Sequence, residues 1–527
     1  MTPKRKIGKS DIKSKRTKAS EDDLLSVKEL KKLSNEINEA SKFNNFITLI
    51  NQLSIVKSRL TSKEDHEIES TGRNLSVLIF KNFQTLFKNG LFKKNSSDSN
   101  DQALIKKWIF DKYLNFKKLT CQFLTDKLSF DSSLQLDLLD IYLNLIKLEN
   151  NNDSQFPIQT YKQLIEALLT SKNGEILSNG ITDNFIVIEF IEKFKPHYDL
   201  QFYFFQNIPE KPNKLQISNF LTIVRNELSL QDDLNNVVTF CKHLSPNIYK
   251  PQVFKSNFQK CITTILSNQL STPQIKSVLS ILHKRIIPYM SQPQQLMDFL
   301  TDCYNTNEEI IIPILALNSL WELMKNYNLE YQDFYTKLYS LITPNLLYTK
   351  YRSRFFRLCD LFLSSSHLSA NLIASFIKRL SRISLISSGP GVVIIIPFIY
   401  NLLKRHPTCM IMIHNTNNSK DEFNNLEKDP LLTNAINSSL WELNSLTSHY
   451  HPNIATLCKI FGEPFRKPNY NLEDFLDWNY VTLLESENSR KFKEKATALE
   501  FEQFDSLLKT DESKESDNIF LENWKLV

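Results

Sequence analysis

The chain has 527 residues, of which 41% are hydrophobic, and its formal net charge is +6. This length suggests two or more domains or one long repeat array, and the apolar content suffices for a sizeable core. Only 8 glycines occur, roughly a fifth of average usage, and neither a GxGxxG nor a GxxxxGK[ST] motif is found. Nucleotide-binding folds need glycine where the backbone approaches phosphate, so this composition argues against them.

The seven cysteines are scattered, without a CxxC pair. This pattern predicts a reduced, intracellular protein rather than a disulfide framework. The N-terminus lacks the apolar segment that a secretory signal requires, so we expect no export by that route.

The first 18 residues contain eight Lys/Arg and one Asp, so the net charge of this segment alone is +7. This exceeds the formal net charge of the whole chain, +6. The remainder is close to neutral, and any attraction to nucleic acid must therefore be local. We predict a disordered basic tail over residues 1–20 that includes a nuclear import signal; a solvated end without further role is the alternative. The signal would comprise Lys4, Arg5, Lys6, Lys13, Lys15, Arg16 and Lys18.

Beyond the tail, apolar residues recur at spacings of three and four, which predicts helices, and strand-like alternation is rare. The breaks between helices carry Pro, Asn, Ser and Asp. Eighteen helices joined by short breaks predict an all-α protein, a HEAT-like α-solenoid of stacked helix pairs. The predicted helices lie near 21–40, 43–60, 73–90, 101–126, 131–148, 158–170, 182–195, 213–229, 252–268, 273–286, 307–326, 331–342, 350–364, 369–383, 392–405, 432–448, 453–461 and 471–485.

One internal echo supports a repeat. Residues 316–323 read ALNSLWEL and residues 435–443 read AINSSLWEL, which sets Leu320 and Leu440 120 positions apart. Such an offset fits three helical repeats of roughly 40 residues, although chance is the alternative. We predict an N-terminal helical repeat region over 21–305, a C-terminal helical domain over 306–486, and a charged tail or cap over 487–527.

Residues 389–414 read GPGVVIIIPFIYNLLKRHPTCMIMIH. The uninterrupted apolar part is shorter than the ~20 residues that a membrane span needs. A core helix is the better interpretation: a proline near its start, Lys404 and Arg405 in its last turn and Pro407 after its end are typical helix boundaries.

A metal site is the third interpretation of this stretch. Zinc ligands usually come in pairs at both ends of a site, and this arrangement does not show that pattern. We therefore predict neither a metal nor another cofactor. The candidate ligands of such a site are His406, Cys409, His414, His449 and His451.

Three successive predicted helices each carry basic residues on one face. We predict that this surface docks RNA phosphates or an acidic partner, with a merely solvated face as the alternative. The residues are Lys350, Arg354 and Arg357 on the first helix, Lys378, Arg379 and Arg382 on the second, and Lys404 and Arg405 on the third.

The next segment has the opposite sign, with eleven Asp/Glu against four Lys/Arg between residues 421 and 487. Glu473, Asp474 and Asp477 share one predicted helix face and join the candidate docking residues. No carboxylate pair has a neighbouring nucleophile that would define an active site, so we predict no enzymatic activity. Trp441 is expected in the core, where its truncation would unfold the domain.

Four long strings occur in order across residues 310–485: KYRSRFFRLCDLFLSSSHLSANLIASFIKRLSRISL, IPFIYNLLKRHPTCMIMIH, SSLWELNSLTSHYHPNIATLCKIF and EPFRKPNYNLEDFLDWNY. This block resembles the nucleolar complex proteins, the family named for its CCAAT-binding-factor domain. Within the family, RHPxC, LWEL with HYHP, and LEDFLDW are similar to the nucleolar complex protein 4 group. Residues 306–486 would thus be a domain of the CCAAT-binding-factor type.

The resemblance implies a nucleolar, HEAT-like scaffold that binds nucleolar protein 14 within the small-subunit processome. It also implies a role in pre-rRNA processing and in small-subunit assembly and export. Other processome proteins would be partners and pre-rRNA a further candidate; no membrane and no small-molecule substrate are implied. A nuclear transport adaptor and a nucleic-acid-binding nuclear scaffold remain the alternatives.

Overall fold

The computed structural model describes residues 24–39, 42–92, 100–225, 238–306, 309–327, 331, 333–414 and 421–489. These residues form helices and no strand; Ile176 and Thr182 make one isolated antiparallel bridge. The all-α prediction is therefore confirmed. The α-helices are α1 (Val27–Glu39), α2 (Asn45–Ser62), α3 (His66–Lys88), α4 (Asn100–Thr125), α5 (Ser133–Asp153), α6 (Ile158–Thr170), α7 (Phe185–Phe194), α8 (Tyr198–Gln206), α9 (Lys214–Val224), α10 (Pro251–Leu266), α11 (Thr272–Ile281), α12 (Met297–Asn305), α13 (Ile311–Tyr327), α14 (Phe334–Ser340), α15 (Arg352–Phe362), α16 (Ala370–Ser384), α17 (Gly389–Arg405), α18 (Ile411–His414), α19 (Trp441–Ser445), α20 (Pro452–Cys458), α21 (Glu473–Leu476) and α22 (Tyr480–Asn488).

The chain folds as two compact units. The first comprises residues 1–376 with 422–435, and the second comprises 377–421 with 436–527. The predicted tail over 1–20 with its import residues lies outside the described residues, as does 490–527 of the predicted C-terminal tail. The predicted domain boundaries stay predictions.

In the first unit, helices pack against the next helix but one along the chain. Contacts of this kind join α1 with α3, α3 with α5, α4 with α6, α7 with α9, α9 with α11, α11 with α13, and α13 with α15. Stacked helix pairs produce this pattern, because each pair lays one helix on its counterpart in the next pair. The predicted stack of helix pairs is confirmed.

Side-chain caps explain where several helices of the first unit begin. Asp65 Oδ1 accepts hydrogen bonds from the backbone N–H groups of Glu67 and Ile68 at 3.0 and 3.1 Å, ahead of α3. Asn213 and Gln216 form a reciprocal capping box at the start of α9. Such caps satisfy donors that the first helical turn leaves unpaired.

The predicted and the observed helices differ in several places. Helices α8 and α12 were missed; every α8 residue from Tyr198 to Phe205 is buried, so no apolar periodicity marks this helix. The predicted helix 432–448 is instead a loop, a 3₁₀ turn, the short α19 and a second 3₁₀ turn, and Asn434 has a φ of 57°. The predicted helix 471–485 is split into α21 and α22, because Asn479 caps the second of them.

The second unit is built around α17. Every residue from Gly389 to Leu403 is buried, and the helix packs against α20, α21 and α22. Pro390 lies in the first turn, where its missing N–H costs nothing. The core-helix interpretation is confirmed. In the described part of the chain, no helix combines the length and apolar character needed to cross a bilayer.

The two copies of the LWEL echo have different structures. Leu320 to Leu323 lie inside the 17-residue helix α13, whereas Leu440 precedes the five-residue helix α19. The echo therefore does not mark equivalent positions of a structural repeat.

Two glycines with positive φ allow a matched test of the packing in the first unit. Gly180 (φ 78°) and Gly90 (φ 71°) both adopt the left-handed conformation. A Cβ at Gly180 would lie 2.6 Å from the backbone nitrogen of Gln274, whereas no described atom lies within 4 Å of one at Gly90. We expect Gly90→Ala to cost about 1–2 kcal/mol of unfolding free energy from backbone conformation alone, and Gly180→Ala about 1–3 kcal/mol more from overpacking. Thermal melting of the full chain tests this; equal melting temperatures would contradict the packing described here.

Candidate docking site

Lys378 is fully buried, which corrects the prediction that it lies on an exposed docking surface. Its ammonium group contacts Glu442 Oε1 at 2.7 Å, and the Glu442 side chain is also fully buried. Lys378 Nζ additionally donates a hydrogen bond to the backbone oxygen of Ser439 at 2.6 Å. Glu442 is 64 residues away from Lys378 in sequence, so the local helical pattern of α16 could not indicate this pairing.

Arg382, one turn further along α16, extends this ion pair. Its Nε lies 2.7 Å from Glu442 Oε1, and its guanidinium also contacts Asp421. Asp421 Oδ2 lies 3.1 Å from Lys378 Nζ, while Asp421 Oδ1 accepts a hydrogen bond from the Ser438 hydroxyl at 2.6 Å. Two cations and two carboxylates thus balance one another within the second unit. We call Lys378, Arg382, Asp421, Trp441 and Glu442 the charged cluster.

Trp441 covers one side of the charged cluster and is 41% exposed, so the prediction of a core tryptophan is wrong. Its indole N–H donates to Asp421 Oδ2 at 3.1 Å. The Arg382 guanidinium lies 4.9 Å from the centre of the indole ring, within the range of a cation–π contact. These contacts with the charged cluster hold the Trp441 side chain at the surface. An interpretation based on apolar character alone places it in the core.

Burial raises the pKa of Glu442 above its ordinary value of 4.5, although the hydrogen bond and charge of Lys378 and the charge of Arg382 oppose this effect. A buried carboxylate is costly unless cations are held close to it. The charged cluster therefore stabilises the fold of the second unit, because Lys378 and Arg382 neutralise the buried Glu442 carboxylate.

Two of the three candidate residues before α16 are exposed. Lys350 and Arg357 are exposed, whereas Arg354 is half-buried. Burial lowers the pKa of Arg354, and its positive charge adds to burial in lowering the pKa of His283 to about 4. Lys350 precedes α15, which begins at Arg352, so the predicted common helix face does not include it.

The basic end of α17 makes a hydrogen bond within the second unit. Lys404 Nζ donates to the backbone oxygen of Phe465 at 2.9 Å. Lys404 and Arg405 are half-buried, as is Arg379 on α16. Their assignment as docking residues remains a prediction.

The acidic candidates are all exposed. Glu473 and Asp474 lie in α21, and Asp477 follows its last residue. Asn471 Oδ1 accepts a hydrogen bond from the Glu473 backbone N–H at 3.3 Å, at the start of α21. Glu473, Asp474 and Asp477 therefore lie close together at the surface. Lys378, in contrast, is buried.

Among the described residues, no group of three or more His, Cys, Asp or Glu side chains has a geometry that could hold a metal ion. His406 and Cys409 are buried and His414 is exposed. His449 and His451 instead accept local hydrogen bonds from the backbone N–H groups of His451 and Asn453 at 3.0 and 3.3 Å.

The sequence prediction missed Asp421, Ser438 and Glu442. The signal that could have found them is the balance of charge: cations among the apolar residues of α16 need carboxylates elsewhere when they are buried. Sequence alone does not show which carboxylates these are.

The stacked helix pairs and the internally paired charges define a helical-repeat protein of the scaffold class. Two family models match the chain: "Nucleolar complex protein 4-like, TPR repeats" over residues 17–215 and "CBF/Mak21 family" over residues 313–458. The first model describes TPR repeats where our prediction was HEAT-like; both are repeats of helix pairs.

Curated relatives share most of the chain's length. Nucleolar complex protein 4 of Saccharomyces cerevisiae is 42% identical over 94% of this chain and 98% of its own length. The nucleolar complex protein 4 homologue of Mus musculus is 30% identical over 84% of this chain and 89% of its own. The homologue of Gallus gallus is 38% identical over 56% of this chain and 59% of its own.

The chain belongs to the nucleolar complex protein 4 family, as the resemblance indicated. Membership places it in the nucleolus and in ribosome biogenesis.

Removing the Lys378 ammonium should unfold the second unit more readily. Lys378→Met leaves Glu442 buried with one cation fewer, and breaking a buried pair in this way costs about 3–5 kcal/mol. The exposed Lys350→Met is the matched control, with an expected change within about 0.5 kcal/mol. Thermal melting of both variants tests this, and indistinguishable melting temperatures would show that the charged cluster contributes nothing.

Trp441→Ala should destabilise the protein less than truncation of its neighbour Leu443. The tryptophan loses one hydrogen bond and a cation–π contact at a partly exposed site, about 1–2 kcal/mol. Leu443 is 2% exposed, and its replacement by alanine should cost about 2–5 kcal/mol. Denaturant unfolding compares the two; a larger loss for Trp441→Ala would restore the core assignment of that residue.

Proposed function

We propose that this protein is a non-enzymatic scaffold of the small-subunit processome that binds nucleolar protein 14. In this role it supports pre-rRNA processing and the assembly and export of the small subunit. The family membership supports a role in ribosome biogenesis in the nucleolus. Other processome proteins are further proposed partners.

One observation carries the proposal: the second unit uses its buried charges to hold its own segments and leaves a separate set of charges exposed. Lys378 and Arg382 are paired to Glu442 and Asp421 within the unit. Glu473, Asp474 and Asp477 are exposed. A surface with exposed charges suits recognition of a charged protein, since electrostatic complementarity sets specificity and association rate.

A protein partner is favoured over RNA in the second unit. The most buried cation, Lys378, is not available to phosphate, and Arg382 already contacts two carboxylates. RNA binding depends on accessible Lys and Arg side chains that neutralise phosphates. Lys350, Arg354 and Arg357 of the first unit, with Arg379, Lys404 and Arg405 of the second, remain candidates for an acidic partner segment or for pre-rRNA.

Charge reversal tests the docking residues. The full chain would be co-purified with tagged nucleolar protein 14 at physiological salt, using Glu473→Lys/Asp474→Lys/Asp477→Lys and, separately, Lys350→Glu/Arg357→Glu. We expect at least one of these variants to reduce recovery by about tenfold, equivalent to ~1.4 kcal/mol, without a change in melting temperature. Lys260→Glu, at an exposed position of α10, is the control that should bind normally.

Two results would contradict different parts of the proposal. Failure of the unaltered chain to recover nucleolar protein 14 would overturn the proposed partner. Normal recovery by both charge-reversal variants would leave the partner standing and remove these residues from the site.

A further inference from the structure

Helix α22 carries one buried apolar side chain and three exposed ones. Its inward face carries Leu483, which is 3% exposed and packs beside Gly389, where a Cβ would lie 3.2 Å from Leu483 Cδ1. Its outward face carries Tyr480, Val481 and Leu484, which are 56%, 60% and 67% exposed. These three residues follow the spacing i, i+1 and i+4, so they adjoin on one side of the helix.

A surface helix ordinarily turns polar residues to water, so three neighbouring apolar side chains on its exposed side are unusual. Within the second unit, α22 packs against α17, and Asn453 Nδ2 of α20 donates a hydrogen bond to the Ser486 hydroxyl at 2.8 Å. A contiguous apolar strip that the described residues leave exposed is typical of a binding surface.

The sequence from residue 470 to residue 489, which contains this strip, is acidic. Residues 470–489 contain five Asp/Glu and no Lys or Arg. The side chains of Asp474, Asp477 and Glu485 are exposed, and Asp474 Oδ1 accepts a hydrogen bond from the Asn471 side-chain amide at 3.1 Å. We call Tyr480, Val481 and Leu484 with Asp474, Asp477 and Glu485 the acidic-apolar face.

We infer that the acidic-apolar face binds a basic amphipathic helix of a partner protein, a role that narrows the proposed function and rests on it. Such a helix lays its apolar stripe on the strip of Tyr480, Val481 and Leu484 and sets Lys or Arg side chains against the flanking carboxylates. Complementary charge fixes orientation and speeds association. RNA does not fit this surface, because its phosphates meet carboxylates rather than cations.

A pair of synthetic peptides tests this assignment on the full chain. Both have about 18 residues, five helical turns, with the same leucine stripe at helical spacing; one carries Lys and Arg on its polar face, and the other carries Glu. Fluorescence anisotropy gives the affinity of each peptide at low and at physiological salt.

The protein variants separate the apolar from the charged contribution. Val481→Ser/Leu484→Ser removes the strip, and Asp477→Asn/Glu485→Gln removes two charges at unchanged shape. Leu426→Ser, at a leucine of the first unit that is 89% exposed, is the matched control. Melting temperatures confirm that each variant is folded.

We expect the basic peptide to bind at least about tenfold more tightly than the acidic one, a difference of ~1.4 kcal/mol. The serine variant should lose about tenfold in affinity for the basic peptide, the charge variant should lose part of the salt dependence, and Leu426→Ser should change neither. Equal binding of both peptides, or binding that Val481→Ser/Leu484→Ser leaves unchanged, would overturn the inference.

The other occupant of this face would be the chain's own segment 490–527. If Val481→Ser/Leu484→Ser accelerates proteolytic cleavage within 490–527 while the basic peptide fails to bind the unaltered chain, the face is an intramolecular one and the inference is wrong. The peptide assay does not involve nucleolar protein 14, so its failure is distinguishable from failure of the proposed function.

Discussion

The carboxylate of Glu442 is fully buried, and the second unit is organised so that this charge is neutralised. Lys378 and Arg382 reach it from α16 with contacts of 2.7 Å each, and Asp421 balances the second positive charge. An unpaired carboxylate at this depth would cost several kcal/mol. The pairing therefore fixes the position of the segment from Ser438 to Glu442 relative to α16, two stretches that are some 60 residues apart in sequence.

This constraint explains why the surface of the unit can be charged without being disordered. Once the buried charges are satisfied internally, the exposed carboxylates around α21 and α22 need no partner for folding. In the proposed function Asp474, Asp477 and Glu485 take part in recognition, together with the exposed apolar residues of α22. The helix α17, apolar on every side, supplies the hydrophobic burial that supports this arrangement.

The sequence predicted the helical class, most helices and the burial of α17, because these depend on local spacing of apolar residues. It failed where burial erases periodicity, as in α8, and where an asparagine interrupts an apolar pattern, as at Asn434 and Asn479. The family was recognised from motifs around His406, Trp441 and Asp477, which the comparisons confirm.

The candidate site was less predictable. A helical wheel shows Lys378 beside Arg379 and Arg382 on a basic face, and it holds no information on a carboxylate 64 residues away. Trp441 was expected in the core because tryptophan is large and apolar, yet its hydrogen bond to Asp421 and its contact with Arg382 hold it at the surface. Long-range charge pairing determines the burial of Lys378 and the exposure of Trp441. Only the folded structure shows that pairing.

A double-mutant cycle on Lys378 and Glu442 tests this account most directly. The free energy of unfolding would be measured for Lys378→Met, for Glu442→Leu and for the double variant. If the buried pair organises the unit, each single replacement strands a charge, and the double variant is more stable than either single one, with a coupling energy in the range of about 0.5–3 kcal/mol or above. Additive losses, with the double variant the least stable of the three, would contradict the central role of this pair.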